Sequence, residues 1–233
     1  PPPPPPPPPP PFFFNAEDGI RAPLWSRGLG DVYKRQIQGN TYDYRQPEQC
    51  FTQPNGSINR HMIEWLLAHA PACHTDLLEL YCGVGNFTLP LAHRFRRVLA
   101  TELSKRATAA ATHNAIANHI GNLELARLSA AEMSQAMAGD RPFRRLSALK
   151  EPLSSFEFET LLVDPPRAGL DSDTLDLAKG FARILYISCN PTSLIENLAE
   201  LNETHSIEAL AFFDQFPYTE HLESGVILKR RPI

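Results

Sequence analysis

The sequence predicts an α/β fold: a mostly parallel sheet with helices on both faces, closed by an antiparallel hairpin. Three observations carry this. From residue 57 onward, short apolar runs alternate with segments of helical period. The first of those runs, LELY, passes directly into a glycine loop, CGVG, at the strand end where such sheets meet their ligands. The last two strand-like stretches are joined by a connection too short for a parallel crossover.

In order, SINRHMIEWLLAHA (57–70) sets Ile58, Met62, Ile63, Leu66 and Leu67 on one helical stripe, with Ser57 as its cap. DLLEL is a short apolar strand, and its glycine loop leads into a helix through TLPLAHRF. RVLATEL is a second strand ending on an acid. SKRATAAATHNAIANHI, rich in alanine and capped by Ser104, is a helix that Gly121 ends. NLELARL is a third strand and AAEMSQAM a short helix; residues 139–157 show no period and form an irregular insertion. FETLLV is a strand stopped by the prolines of DPPRAGL, because proline cannot donate to a central ladder. DSDTLDLAKGF is a helix, RILYIS a strand and SLIENLAELN a helix, after which HSIEALAFF and HLESGVILKR form the closing hairpin.

Residues 1–36 fall outside this pattern. Eleven prolines open the chain, and a polyproline helix buries nothing; residues 12–36 show neither helical nor strand period. The segment resembles translated adapter read-through at the edge of an assembled gene fragment, the rival reading being a PxxP-type ligand. It lacks the basic region, clean apolar core and small-residue cleavage site of a targeting peptide. The expected organisation is therefore a disordered extension over 1–36 and one catalytic domain over 37–233.

The formal net charge is −4, so the chain lacks the basic footprint of a domain that holds nucleic acid by charge alone. Any such partner must be gripped locally. Two arginine groups, Arg94, Arg96, Arg97 and Arg141, Arg144, Arg145, are the candidates for phosphate contacts. The four cysteines, Cys50, Cys73, Cys82 and Cys189, have no metal-site or disulfide-framework spacing, which points to a reduced, cytoplasmic setting with no metal. No apolar run reaches spanning length, so no membrane partner is expected, and the expected state is a monomer.

Gly83 and Gly85 follow a strand directly, where the backbone must turn tightly and approach a ligand closely, and the next strand ends on Glu102, placed to accept from a ribose. That pairing predicts an adenosine-containing cofactor. The third glycine of a dinucleotide fingerprint is missing, Gly85 being followed by NFTLPL, which favours S-adenosyl-L-methionine over a nicotinamide dinucleotide. A further oddity is Cys189, a thiol at the end of the apolar run LYIS and followed at once by Asn-Pro.

Five ordered blocks, FTQPN (51–55), LELYCGVGNF (78–87), VDPPRAGLD (163–171), LYISCNP (185–191) and FFDQFPYTEHLESGV (212–226), together resemble the S-adenosylmethionine-dependent RNA uracil-C5 methyltransferases. The resemblance covers nearly everything from about residue 40 onward and implies a Rossmann-like class I methyltransferase fold. FTQPN, DPPR and DQFPYT favour the tRNA branch, which forms ribothymidine in the T-loop, over the ribosomal-RNA branch. The resemblance makes Cys189 the nucleophile and Glu223 the general base, and assigns Gln53, Tyr81, Asn86, Glu102 and Asp164 to the cofactor beside Gly83 and Gly85. Arg167 stands where amino-methyltransferases carry an aromatic residue, which speaks against methylation of an exocyclic amine. Arg167, Phe216 and Tyr218 are the candidate substrate contacts, the aromatics by stacking on a uracil. Cys189 precedes NPTSLIENL, so a helix dipole, with help from Arg167, is expected to lower its pKa from about 8.5. His221 competes with Glu223 as base and Cys82 with Cys189 as nucleophile, although Cys82, in the glycine loop, reads as a small packing residue. Cys50 and Cys73 read as structural. The alternatives are a 23S ribosomal-RNA uracil-C5 methyltransferase, a truncated non-catalytic RNA-binding or RNA-folding module and, remotely, a nicotinamide-linked oxidoreductase.

Overall fold

A computed structural model describes residues 31–71 and 74–232 of the chain. The proline tract, the rest of residues 1–30 and Cys73 lie outside the described residues, together with the expectations that fall on them.

The chain opens with a hairpin, β1 (Asp31–Ile37) and β2 (Asn40–Gln46), paired antiparallel from Asp31 opposite Gln46 to Ile37 opposite Asn40. The boundary expected at residue 36 falls inside β1. Residues 31–36 have no apolar alternation of their own. They are strand because the ladder to β2 satisfies their backbone, a tertiary cause that periodicity cannot report.

Next come α1 (Gly56–His69), β3 (Asp76–Leu80), α2 (Thr88–Leu91), β4 (Val98–Thr101), α3 (Lys105–Ala117), β5 (Leu123–Ala126) and α4 (Ala130–Ala138). After two short 3-10 turns in the irregular stretch follow β6 (Phe158–Val163), α5 (Ser172–Ala178), β7 (Arg183–Ser188), α6 (Pro191–Leu201), β8 (His205–Phe213) and β9 (Glu223–Arg230). The main sheet runs β5-β4-β3-β6-β7-β9-β8, with β3 to β7 parallel and β9 antiparallel to both β7 and β8. This is the predicted parallel sheet with a closing hairpin, and it adds that β9 slots between β7 and β8 rather than extending the edge.

Period-2 alternation divides the strands between two cores. Leu77, Leu185 and Ile227 join Met62, Ile63 and Leu66 of α1 on one face, whereas Leu78, Ile184, Tyr186 and Val226 join Met133, Leu175 and Leu194 from α4, α5 and α6 on the other. Strand order reverses at β3, with β4 on one side of it and β6 on the other. A crevice therefore opens beyond the carboxyl ends of those two strands.

Several element ends differ from expectation. Asn55, not Ser57, caps α1, its side chain accepting from the Ile58 N–H at 3.1 Å. Ser104 caps α3 as expected, but α3 stops at Ala117, ahead of Gly121, because His119 turns left-handed (φ 56°) and the Ile120 N–H returns to the Ala115 carbonyl at 2.9 Å; just past that end the Asn118 side-chain amide donates to the Asp43 carbonyl at 2.7 Å. One turn earlier, Asn114 accepts from the Arg45 N–H at 2.7 Å and donates to the Arg45 and Val84 carbonyls at 3.1 and 3.0 Å. Two asparagines of α3 thus hold both β2 and the glycine loop. At the far end of the sheet, Asp76 takes paired bonds from Arg96 (2.9 and 2.8 Å) and a bond from Arg97 (2.8 Å), while Arg94 donates to the Ala70 carbonyl at 2.9 Å. That arginine group, expected to meet phosphate, is spent on a structural clamp at the end opposite the crevice. No helix among the described residues is long and apolar enough to cross a membrane, and no group of three or more His, Cys, Asp or Glu among them could hold a metal.

Candidate active site

A cleft of about 480 Å³ opens at the switch in strand order. Its lining draws on the loops after β3, β6 and β7, the start of β9 and residues 49–53. Gln53, Tyr81, Gly83, Asn86, Glu102, Asp164, Arg167, Cys189 and Glu223, all singled out in the sequence, meet there. Gly85, Phe216 and Tyr218 are not in the lining.

The glycine loop begins with strain. Tyr81 (φ 63°), Gly83 (φ 56°) and Gly85 (φ 91°) all lie in the left-handed region, which a bulky residue such as Tyr81 enters only where its surroundings hold it. A Cβ on Gly83 would meet nothing within 4 Å, so its backbone is open to a ligand; one on Gly85 would press on Leu89 at 3.4 Å, so that glycine serves the turn. The Glu102 carboxylate accepts from the Gly83 N–H at 3.1 Å and the Ser104 N–H at 2.7 Å. Each carboxylate oxygen carries a second acceptor site, so Glu102 braces the loop and still has capacity for hydroxyls. Asn86 faces Asn59 of α1 with amide separations of 2.8 and 3.0 Å and receives the Arg35 guanidinium at 2.6 Å. Gln53 is 8% exposed, and its Oε1 is buried without a partner among the described residues.

The acids converge from the other side. Glu223, first residue of β9, is 1% exposed, and its Oε2 has no partner among the described residues. Burial pushes its carboxyl up to about 7. Burial and then the Glu223 charge push Asp164 up to about 8. Glu79, which sequence reasoning passed over, sits 2% exposed within β3, and burial, with the Asp164 charge added, pushes it up to about 8. Its signal was there to find: a lone acid inside the apolar run LLELY.

Cys189 is half-buried beyond the end of β7. Asn190 caps α6, its side chain accepting from the Thr192 N–H at 3.2 Å. The expected lowering of the thiol's pKa does not occur: burial raises it, Glu223 and Asp164 raise it further, and Arg167 lowers it by less. The helix end is where the sequence put it, but two carboxyls outweigh it, and they come from β6 and β9, out of reach of local reading. Cys82 fares worse as a thiolate, pushed well up by complete burial and by Glu79 and Glu102. Cys50, expected to be structural, packs on Val84, Ala107 and Ala110 and also lines the cleft.

One feature came from segments the sequence reading set aside or left unread. Tyr33 of β1 lines the cleft and stacks on Tyr44 of β2 with ring centroids 5.4 Å apart; Arg35 lies over both rings, at 5.3 and 5.2 Å. Tyr218 projects wholly into solvent from a left-handed backbone (φ 67°), while Phe216 lies edge-on to His221 at 5.8 Å.

A family model described as tRNA (Uracil-5-)-methyltransferase matches residues 32–231. Among curated proteins, the chain is similar to the tRNA/tmRNA (uracil-C(5))-methyltransferase of Pseudomonas entomophila (strain L48), 57% identical over 200 residues, covering 86% of this chain and 55% of that protein. The protein of the same name from Pseudomonas aeruginosa (strain LESB58) is 55% identical over 223 residues, covering 93% of this chain and 61% of its own length. The chain thus spans little more than half the length of these curated relatives. Among solved structures, the fold is similar to that of Pyrococcus abyssi tRNA (uracil-54, C5)-methyltransferase in complex with S-adenosyl-L-homocysteine, with a TM-score of 0.65 and 24% identity over 84% of this chain and 44% of that one. It is similar as well to a putative SAM-dependent methyltransferase from Streptococcus mutans, with a TM-score of 0.60 and 13% identity over 90% of this chain and 58% of that one.

Proposed function

Because the chain belongs to the tRNA (uracil-5-)-methyltransferase family, we propose that it transfers a methyl group from S-adenosyl-L-methionine to C5 of a uridine in the T-loop of tRNA, as a cytoplasmic, monomeric enzyme. One observation carries the reading. The thiol of Cys189 and the buried, unpartnered carboxyl of Glu223 line the same cleft as the glycine loop and Glu102.

The residues present fit the cofactor. The open backbone at Gly83, the spare acceptor capacity of Glu102 and the orphaned Gln53 Oε1 suit a ribose, an adenine edge and an amino acid moiety, with Tyr81, Asn86 and Asp164 completing the wall and Gly85 shaping the turn. When bound, S-adenosylmethionine supplies an electrophilic methyl group.

Uracil C5 is a weak nucleophile because the ring spreads its electron density onto the carbonyls. Attack of the Cys189 thiolate forms an S–C6 bond and leaves an enolate with carbanion character at C5, which can then take a methyl group. Glu223 removes the C5 proton; that electron pair re-forms the C5–C6 double bond as the S–C6 bond breaks, returning the thiolate. A carboxyl held near neutrality suits this step, since about half of it is ionised near pH 7 and that form is a stronger base than an ordinary carboxylate. Arg167, opposing the two acids around Cys189, favours the thiolate and faces the developing enolate. A base inside folded RNA must be extruded to enter such a cleft. Because Tyr218 stands outside the lining, its ring serves a neighbouring base rather than the target.

The test is methyl-labelled S-adenosylmethionine with unmodified tRNA, comparing wild type with Cys189→Ala. Label enters tRNA with wild type and falls to background in the variant. Label entering ribosomal RNA instead would move the chain to the ribosomal branch. RNA carrying 5-fluorouracil, which has no C5 proton to lose, should trap a covalent adduct through Cys189; its absence would overturn the thiol mechanism.

A further inference from the structure

The first turn of α1 touches every loop that closes on the cleft from one side. Asn55 caps the helix, and its N–H donates to Oε1 of Gln215 at 3.0 Å. Asn59, one turn on, faces Asn86 of the glycine loop. Gln215 is 2% exposed; its Nε2 meets the Met62 sulfur at 3.0 Å and its own N–H donates to the Phe213 carbonyl at 2.9 Å. It opens the 214–222 connection, whose last step is Glu223, and Gln53 lies just ahead of Asn55 across Pro54.

We infer that Gln215 is a positioning residue that couples the cofactor side of the cleft to the RNA side, by joining the loop bearing Gln53 to the loop that delivers Glu223. The inference rests on the methyltransferase reading above. An N–H at a helix start has no partner within the helix, and here a buried carboxamide from the β8–β9 connection supplies one. An apolar side chain would fill the same volume but leave that N–H unsatisfied, and each loop would then settle without reference to the other. A cofactor that engages Gln53 therefore narrows the positions open to Glu223, and RNA that engages the 214–222 loop narrows those open to Gln53. Linkage requires the two effects to be equal.

The experiment compares wild type, Gln215→Leu and Gln215→Glu. Calorimetry measures the affinity for S-adenosyl-L-homocysteine with and without an unmodified T-arm RNA hairpin, and steady-state assays give kcat and KM. Wild type should bind S-adenosylhomocysteine about 5-fold or more tightly beside the hairpin, and the hairpin should gain the same factor from S-adenosylhomocysteine. Gln215→Leu should reduce that factor to about 1 and lower kcat about 10-fold, with hairpin-free affinity for S-adenosylhomocysteine within about 2-fold of wild type. Gln215→Glu keeps an acceptor for Asn55 and should restore the coupling. If thermal melting shows that the leucine variant does not fold, Gln215→Met takes its place. Wild-type coupling and kcat in the apolar variant, or equal loss of affinity with and without RNA, would overturn the inference while leaving the methyltransferase reading intact. Failure of wild type to methylate or trap RNA would overturn that reading, and with it this one.

Discussion

At Glu223 a carboxyl sits 1% exposed with one oxygen unpartnered, on the residue that begins β9 and beside a half-buried thiol. Its placement argues that proton removal is its task, and removing that capacity should stop the reaction after methyl transfer, not before. Glu223→Gln should therefore accumulate a methylated RNA adduct that survives a denaturing gel, with turnover at background. The base acts only when ionised and only after methyl transfer, so for wild type at saturating substrates kcat should rise with pH from about 6 to about 8, passing through the carboxyl's value of about 7. A flat profile across that range would remove Glu223 from the role. The residue types were legible in the sequence only through the company they keep. Cys189 stood out locally, as a thiol at a strand end before Asn-Pro. Glu223 did not, since an acid after HL is an ordinary loop residue until β9 carries it to the catalytic end of the sheet. The thiol's raised pKa was illegible for the same reason: burial is its largest cause and two carboxyls distant in sequence add to it, whereas the helix start expected to lower it is adjacent.

Among the elements, the main sheet and its helices were found and the opening hairpin was not. The Ser104 cap of α3 was read directly, and α4 was found from its own short run, although its capping box, Ser129 with Glu132, went unread. The β1–β2 hairpin had local writing that went unread, Gly39 in its two-residue turn (φ 82°) and the alternation of Tyr42 and Tyr44; its ladder and the amides of Asn114 and Asn118 hold the register. The arginines at 96 and 97 read as a basic cluster because Asp76, their partner, lies well upstream and across β4. Asp76 is fully buried and takes bonds from both guanidiniums and from the Glu157 N–H at 2.8 Å, which hold its carboxyl at about 2 against the opposing effect of burial. Asp76→Ala strands those donors and should cost about 3 kcal/mol in chemical denaturation near neutral pH. Because the folded carboxyl is depressed below its unfolded value, wild type holds this stabilisation in full above about pH 4 and loses it as pH falls towards 2, so the gap between the two proteins should close on acidification. A gap that stays constant to low pH would mean the clamp works by packing alone.

Across the whole molecule, the sheet does two jobs with one set of strands. Alternate residues of β3, β7 and β9 feed opposite cores, and the ends of the same strands carry the glycine loop, Cys189 and Glu223. The glycine loop and Cys189 thus follow directly on packed strands, while Glu223 is reached through the 214–222 connection. Charge is the other property at this scale. With a net charge of −4 and one arginine group spent on Asp76, the chain can offer RNA only a few phosphate contacts. The logarithm of its RNA affinity should fall with the logarithm of salt concentration on a slope shallower than about −4, measured by filter binding across a salt series. A steeper slope would reveal a basic surface that this acidic balance argues against.

The two asparagines of α3 grip β2 by its peptide groups alone. Four helical residues advance about 6 Å and two strand residues about 6.7 Å, so side chains at 114 and 118 fall in step with the backbone of 45 and 43. Nothing in that grip reads the letters of the strand. The letters are read from the alternate residues, Tyr42 and Tyr44, which are buried in the core, so proline at 43 or 45 would break the grip while a small residue at 42 or 44 would empty the packing beneath it.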